Sequence, residues 1–232
     1  MFRLRAAFVG IAAFLICTSV ARVLPAGAAP NTWTTLTVSP AATNDGSALA
    51  SPGSGDTLYA MRGASTTNFY GYSVSLNSWT TLTAVPAAAC VGGALVGTGA
   101  DTLFALPGNS TTAFYRYLIS SNSWSAMTAI TAAVWAGGSL VYVPGDTIFA
   151  FIGGGVTSFS MYSISGNSWV ARAAAPATID NGASLVYPGS GDYIYATAGN
   201  TNANLYRYSI SGNSWSTLAS APATFATGSR MA

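Results

Sequence analysis

Hydrophobic and polar positions in this chain are arranged in short segments that return in a fixed order. Each apolar segment has about four to eight residues, is rich in β-branched and aromatic residues, and is bounded by Gly, Asn or Pro. After the first 28 residues no window has the 3.6-residue hydrophobic period of a helix. The pattern therefore predicts an all-β protein built from short strands.

The predicted strands belong to a repeat. Residues 208–215, with the sequence YSISGNSW, have close counterparts at 72–79, 117–124 and 162–169, and residues 31–33 are a partial fifth copy. The tryptophans that mark the copies lie 45 or 46 residues apart: Trp33, Trp79, Trp124, Trp169 and Trp215. A fixed period of this length is typical of a solenoid, a propeller or another repeat array.

Each repeat is predicted to contain four antiparallel strands, here called a to d. Strand a opens with a Gly pair, strand b opens with Asp, strand c is aromatic and strand d carries the Trp. One such sheet cannot bury both of its faces, whereas sheets stacked radially around an axis can. Strand a would lie nearest the axis, where backbones approach closely and glycine fits. The aromatic residues of strands c and d would fill the wedge between neighbouring sheets.

The Gly pairs Gly92-Gly93 and Gly137-Gly138, each followed by aromatic residues and a Trp at a fixed offset, resemble the kelch repeat family. The resemblance covers nearly all of residues 31–232, although Gly46-Ser47 and Gly182-Ala183 depart from the Gly pair. It implies a kelch-like β-propeller in residues 29–232, with four full four-stranded blades plus partial strands at each end. The full repeats are 33–79, 79–124, 124–169 and 169–215, and the partial repeat is 215–232.

The blade count leaves an open edge. The resemblance implies rings of six or seven blades, whereas this chain supplies four full ones, a strand d from Trp33 onward and at most a strand a at 228–232. We therefore expect either a fragment of a larger propeller or an incomplete ring. An exposed blade edge would favour self-association or pairing with another protein.

The first 28 residues are predicted to be a secretory signal peptide. Arg3 and Arg5 form a short basic region, residues 6–21 are apolar, and residues 26–28 place small side chains at a cleavage site near Ala28. The alternative is an uncleaved membrane anchor, since the apolar segment is nearly long enough to span a bilayer. With cleavage we expect a secreted, extracellular or cell-surface protein without a membrane span.

Composition supports an extracellular protein and argues against several activities. Charged residues make up 6% of the chain, and Lys, Glu and His are absent. Without the leader the chain has five Arg against six Asp, so no nucleic-acid partner is expected. Once Cys17 leaves with the leader, Cys90 is alone, and we expect a buried, inert thiol.

The absence of His and Glu also argues against catalysis. Without His there is no imidazole base and no His ligand for a metal, and without Glu the usual glycosidase acid is missing. The kelch resemblance includes copper-dependent galactose-oxidase-type enzymes and a sialic-acid mutarotase, but the copper site of the former needs His. Asp45 and Asp180 are the possible carboxylate pair. We expect no catalytic residue, no metal and no cofactor.

One predicted face repeats closely and the other varies. The c–d turns all contain Asn-Ser, and the a–b turns all end at an Asp that we expect to accept N–H bonds within its own turn rather than to bind calcium. The d–a and b–c loops differ from copy to copy, and such loops are where contact residues usually lie. The candidate ligand-binding residues on them are Asn44, Asp45, Arg62, Asn109, Trp135, Asp180 and Asn181.

Three hypotheses for function follow. The first is a secreted or surface-held, non-catalytic propeller that binds a protein or a glycan through the variable face, with Trp135 stacking on a sugar ring or peptide. The second is a fragment of a carbohydrate-active propeller enzyme, either sugar-oxidase-like or mutarotase-like. The third is a structural surface protein that assembles through its uncharged β-edges.

Overall fold

The computed structural model describes residues 33–99 and 101–231. All sixteen strands in this part lie in one compact unit, Thr37–Ala232. The predicted signal peptide, residues 1–28, lies outside the described residues. Within the described ranges no helix is long and apolar enough to cross a membrane.

The strands form four separate antiparallel sheets of four strands each, and every sheet is one repeat in sequence order. The all-β prediction of four full four-stranded blades is therefore confirmed. The strands are β1 (Ala48–Ala50), β2 (Thr57–Met61), β3 (Phe69–Ser73), β4 (Ser78–Thr81), β5 (Ala94–Gly97), β6 (Thr102–Leu106), β7 (Tyr115–Leu118), β8 (Ser123–Ala126), β9 (Ser139–Val143), β10 (Thr147–Phe151), β11 (Phe159–Ser163), β12 (Ser168–Ala171), β13 (Ser184–Val186), β14 (Tyr193–Thr197), β15 (Leu205–Ser209) and β16 (Ser214–Thr217).

The partial strands predicted at the two ends do not form as strands. Residues from Trp33 up to β1, and residues 218–231, form no strand in the described structure, although Phe225 makes an isolated antiparallel bridge to Asn202. The physical reason is that no described strand b or c lies beside these a and d segments, so they have no full strand to pair with. Met231 still follows the path of an inner strand, since its N–H donates to Ser184 Oγ at 3.0 Å.

The Gly-led strands are innermost, as predicted. Strand β5 contacts β1 and β9, and β9 contacts β13, so the four a strands stand side by side. Together with Arg230 and Met231 they line an axial cavity of about 370 Å³. A Cβ on Gly93 would lie 2.4 Å from the carbonyl oxygen of Gly46, so glycine is required by close backbone approach.

Aromatic residues fill the wedges between blades. Phe69 of the first blade lies edge-on to Trp124 of the second, with ring centroids 5.0 Å apart, and Phe114–Trp169 and Phe159–Trp215 repeat the arrangement at 4.9 and 5.0 Å. The strand-c tyrosines Tyr117, Tyr162 and Tyr208 are fully buried in the same three clusters. Aromatic pairs in this geometry stabilise by about 0.5–1.5 kcal/mol beyond their buried area.

Hydrogen bonds join each blade to the segment that leaves the blade before it. Trp124 Nε1 donates to the carbonyl oxygen of Thr83 at 2.9 Å, and the Thr83 N–H donates to Asn122 Oδ1 at 2.9 Å. The Tyr117 hydroxyl donates to the same Asn122 oxygen at 2.7 Å. We call this set the inter-blade clasp. Its other copies are centred on Asn77, Asn167 and Asn213.

The strand-b aspartates correct one sequence prediction. Asp146 does not accept bonds within its own a–b turn: its carboxylate accepts from the hydroxyls of Ser163 and Ser165, both at 2.8 Å, and from the Ser165 N–H at 2.8 Å. Ser163 ends strand β11, and Ser165 lies in the c–d turn that follows it in the same blade. Asp56 makes all three corresponding bonds, Asp192 makes those to Ser209 Oγ and Ser211 N–H, and Asp101 makes those to Ser120 N–H and Oγ because Leu118 has no hydroxyl. The sequence missed the pairing because it spans 17 to 19 residues.

Acid should weaken these turns. Hydrogen bonds, first those from Ser73, Ser163 and Ser209, hold the pKa values of Asp56, Asp146 and Asp192 below the ordinary Asp value. An Asp whose pKa is lower in the folded protein than in the unfolded chain stabilises the fold at pH values above its unfolded-state pKa. This stabilisation is lost as the pH falls through the folded-state pKa. We expect the Tm of the wild type to fall more steeply between about pH 4.5 and 2.5 than that of an Asp146→Asn/Asp192→Asn double variant.

Thermal unfolding followed by circular dichroism across that range checks this. Ser163→Ala removes the leading donor to Asp146. Its Tm should fall with pH less steeply than that of the wild type and more steeply than that of the double Asn variant. Equal slopes in all three proteins would contradict the assignment.

Removing one clasp should destabilise the fold without disturbing its backbone. Asn167 has φ +44°, so Asn167→Gly keeps the left-handed turn while it deletes the acceptor of the Thr128 N–H and the Tyr162 hydroxyl. Two donors then lose their partner, and we expect a loss of roughly 2–4 kcal/mol in the free energy of unfolding. Urea unfolding measures it, with Tyr162→Phe, which deletes one donor, expected to cost about 0.5–1.5 kcal/mol. Unchanged stability of Asn167→Gly would show that the clasp is not stabilising.

Candidate ligand-binding face

The d–a loops are tight turns that stack on one another around the axis. Each closes with a hydrogen bond between its first and fourth residues, such as Gly93 N–H to Cys90 O at 2.8 Å, and has Gly at positive φ in third place, as a type II turn requires. A Cβ on Gly92 would lie 2.1 Å from Trp135 O in the next turn. The five turns are 44–47, 90–93, 135–138, 180–183 and 226–229.

The b–c loops brace these turns. Gly108, Asn109 and Ser110 have three successive positive φ values of 72°, 54° and 60°, and the other blades have the same left-handed turn. The Asn109 N–H donates to Val91 O at 2.9 Å, and the Ser110 N–H donates to Val134 O at 3.0 Å. One b–c loop thus holds the d–a loop of its own blade and that of the next, so the whole face is a rigid framework of backbone bonds.

Three of the predicted site residues meet at the mouth of the axis. Asn44, Asp45 and Asn181 line a cavity of about 490 Å³, which we call the axial mouth, and turn glycines form much of its wall. The second residue of every d–a turn contributes to the lining: Asp45, Val91, Ala136, Asn181 and Thr227. Ligand pockets of about 300–1,000 Å³ are usual for small molecules, so the mouth has room for a sugar unit.

Arg230 also lines the axial mouth, although the sequence pattern did not single it out. It follows the fifth d–a turn, at the position that Ala48, Ala94, Ser139 and Ser184 occupy in the full repeats. The signal that could have found it is this replacement of a small residue by Arg. The signal is weak because the last repeat is partial, so its inner segment has no strand b or c to fix the alignment.

Two predicted residues are held in structural contacts away from the mouth. Asp180 Oδ1 accepts the N–H of Asn181 at 2.8 Å, and Asp180 is not part of the mouth lining, so it does not form a carboxylate pair with Asp45 there. Arg62 donates from Nε to Ala42 O at 2.9 Å and from Nη1 to Asn68 Oδ1 at 3.4 Å. The side chain of Asn109 is exposed on its loop, outside the mouth.

Trp135 is half exposed, at 50% of its surface, beside the axial mouth. It immediately precedes Ala136, which lines the mouth, and its indole lies against Gly154: a Cβ there would be 3.1 Å from Trp135 Cβ and 3.2 Å from Cδ1. The third blade has Gly154-Gly155 where the others have Ala64-Ser65, Asn109-Ser110 and Asn200-Thr201. The side-chain-free loop therefore lets the ring lie close to the backbone.

No group of three or more His, Cys, Asp or Glu side chains that could hold a metal ion occurs in residues 33–99 and 101–231. Cys90, predicted to be buried, is half-buried in the second turn, and its Sγ accepts the Ser65 hydroxyl at 3.1 Å.

Comparison with known proteins supports the fold and goes no further. No family model matches the chain, and no curated protein matches it. Among solved structures, one titled "Structure of YjhT" aligns over 81% of this chain and 68% of its own, with a TM-score of 0.64 and 16% identity. Likeness at this identity shows the fold alone. Together with the four antiparallel sheets it fits a kelch-like propeller.

The stacking of the d–a turns can be tested with two glycines of nearly equal φ. A Cβ on Gly92 (+85°) would meet Trp135 O, whereas a Cβ on Gly55 (+84°) would have no atom within 4 Å. Gly55→Ala should cost only the strain of the left-handed backbone, about 1–2 kcal/mol. Gly92→Ala should lower the free energy of unfolding by more than about 4 kcal/mol or prevent folding, because the backbone at Trp135 would have to move. Equal losses in urea unfolding would contradict the close approach.

Proposed function

We propose that this chain is a secreted or cell-surface, non-catalytic kelch-like binding protein that recognises a glycan through its variable loop face. The observation that supports this most strongly is Trp135. Its half-exposed indole is backed by the glycine loop of the third blade and stands beside the polar axial mouth. A flat aromatic face next to convergent amide and carboxylate groups suits a sugar ring, which has apolar C–H faces and polar hydroxyls.

The polar lining supports a glycan over an apolar ligand. Asn181 offers its amide, and Asn44 offers its amide N–H groups while its Oδ1 accepts the Asp45 N–H at 2.8 Å. Asp45 offers a carboxylate that accepts hydrogen bonds from hydroxyls. The backbone around them is fixed by turn bonds, so little ordering is needed on binding. A rigid site on loops of a repeat scaffold is the usual arrangement for recognition.

Binding rather than glycoside hydrolysis is the proposal because of the carboxylates. Hydrolysis generally needs two carboxyl groups placed on either side of the scissile bond. Among the described residues that line the mouth, Asp45 is the one that carries a carboxylate. The chain contains no Glu that would act as the acid.

A glycan array probed with the wild type and Trp135→Ala tests the proposal. We expect selective binding by the wild type and at least about a tenfold loss in the variant, about 1.4 kcal/mol, because truncating an exposed Trp anchor commonly costs that much. Gly154→Ala should weaken binding as well, because its Cβ would press on the indole.

Val170→Ala is the matched control, since Val170 is similarly exposed at 46% but lies on the outer strand β12. It should bind like the wild type. An array without any wild-type binding would reject the proposed function, and equal binding by Trp135→Ala would remove Trp135 from it.

A further inference from the structure

Arg230 follows the fifth turn around the axis. Its turn closes through the Ser229 N–H and Ala226 O at 3.0 Å, and Gly228 has φ +85°, as in the four complete copies. The next residue repeats the register of an inner strand: the Met231 N–H donates to Ser184 Oγ at 3.0 Å, as the Leu185 N–H donates to Ser139 Oγ at 3.2 Å. Arg230 is therefore the fifth member of a structurally equivalent set.

The other four members of that set are small and uncharged: Ala48, Ala94, Ser139 and Ser184. All five residues line the inner axial cavity, and Arg230 alone among them also lines the axial mouth. The long side chain thus brings one positive charge to the place where the two cavities meet. Packing in the full repeats is satisfied by a methyl or a hydroxyl here, so packing alone gives no reason for Arg.

The guanidinium is only partly used by the protein. Nη1 donates to the carbonyl oxygens of Ser229 at 3.0 Å and Ala183 at 3.3 Å, both of them neutral acceptors. In the described residues Nε and Nη2 make no hydrogen bond, so several of its five N–H donors are open to a ligand. Guanidinium presents them in a planar fork that fits a carboxylate with two parallel bonds.

We propose that the ligand of this face carries a carboxylate group, and that Arg230 binds that group at the axial mouth. The inference rests on the proposed function and adds the chemical class of the ligand. An acidic sugar of the uronic-acid type is both a glycan and a carboxylate. Its carboxylate pairs with Arg230, while its hydroxyls donate to Asp45 and bond the amides of Asn44 and Asn181.

A single negative charge fits this site better than a phosphate. Arg230 is the one cation and Asp45 the one anion among the described residues of the mouth, so the site is neutral overall. A phosphate monoester near pH 7 carries nearly two negative charges, and the second would face Asp45 without a cation of its own. A carboxylate adds only one charge, so the occupied mouth carries one net negative charge, whereas a phosphate would leave nearly two.

The test compares each acid with its own ester. A panel of uronic-acid oligosaccharides is offered as free acids and as methyl esters, which keep the ring and lose the charge. We expect the wild type to bind at least one acid about tenfold or more above its ester, and Arg230→Gln to lose that preference. Arg230→Lys should recover part of it, because the charge remains while the fork is lost.

Trp135→Ala separates the two proposals, since it should weaken acid and ester alike and leave their ratio unchanged. Equal binding of acid and ester by the wild type, or an undiminished preference in a folded Arg230→Gln, would overturn the role of Arg230 while the proposed function stands. The role of Arg230 would also be overturned if the wild type bound neither the free acids nor the methyl esters of the panel but did bind neutral glycans on the array. Absence of all glycan binding would reject the proposed function itself.

Discussion

Each blade of this protein depends on a neighbour to bury its aromatic residues. A strand-c Phe of one blade lies edge-on to the strand-d Trp of the next, and the clasp Asn then fixes the connecting segment in place. Strands of three to five residues bury too little on their own to be stable, so the sheets are stabilised chiefly by packing between neighbouring blades. Most other features follow from this sideways packing.

The packing also explains why one edge of the array is exposed. Leu49 is 59% exposed, whereas its equivalents Leu95, Leu140 and Leu185 are 8%, 8% and 5% exposed. The three buried leucines pack against the blade before them, and among the described residues no complete blade lies before β1. The exposed edge therefore results from the same interface that stabilises the interior blades.

The two faces differ because different atoms hold them. On the a–b and c–d face, side chains of Asp, Ser and Asn make the essential bonds, so those residues recur in every copy. On the opposite face the bonds run between backbone atoms of the d–a turns and the b–c loops. Only the glycines are constrained there, and the first and second residues of each turn are free to vary. That freedom is what lets Asp45, Asn181 and Trp135 differ from their counterparts.

The repeat period and the residue types at each strand determined the four-bladed architecture, since strand alternation and close glycine packing are local requirements visible in the chain. Copy-to-copy variation likewise indicated which face to consider as the candidate ligand-binding face. Only the tertiary structure decided which varied residues converge. Asn44, Asp45 and Asn181 come together with Arg230, whereas Asp180 and Arg62 are taken up by neighbouring backbone or amide groups. Distances across the axis depend on how far each blade rotates from the last, and that rotation is set by packing between blades rather than by spacing along the chain.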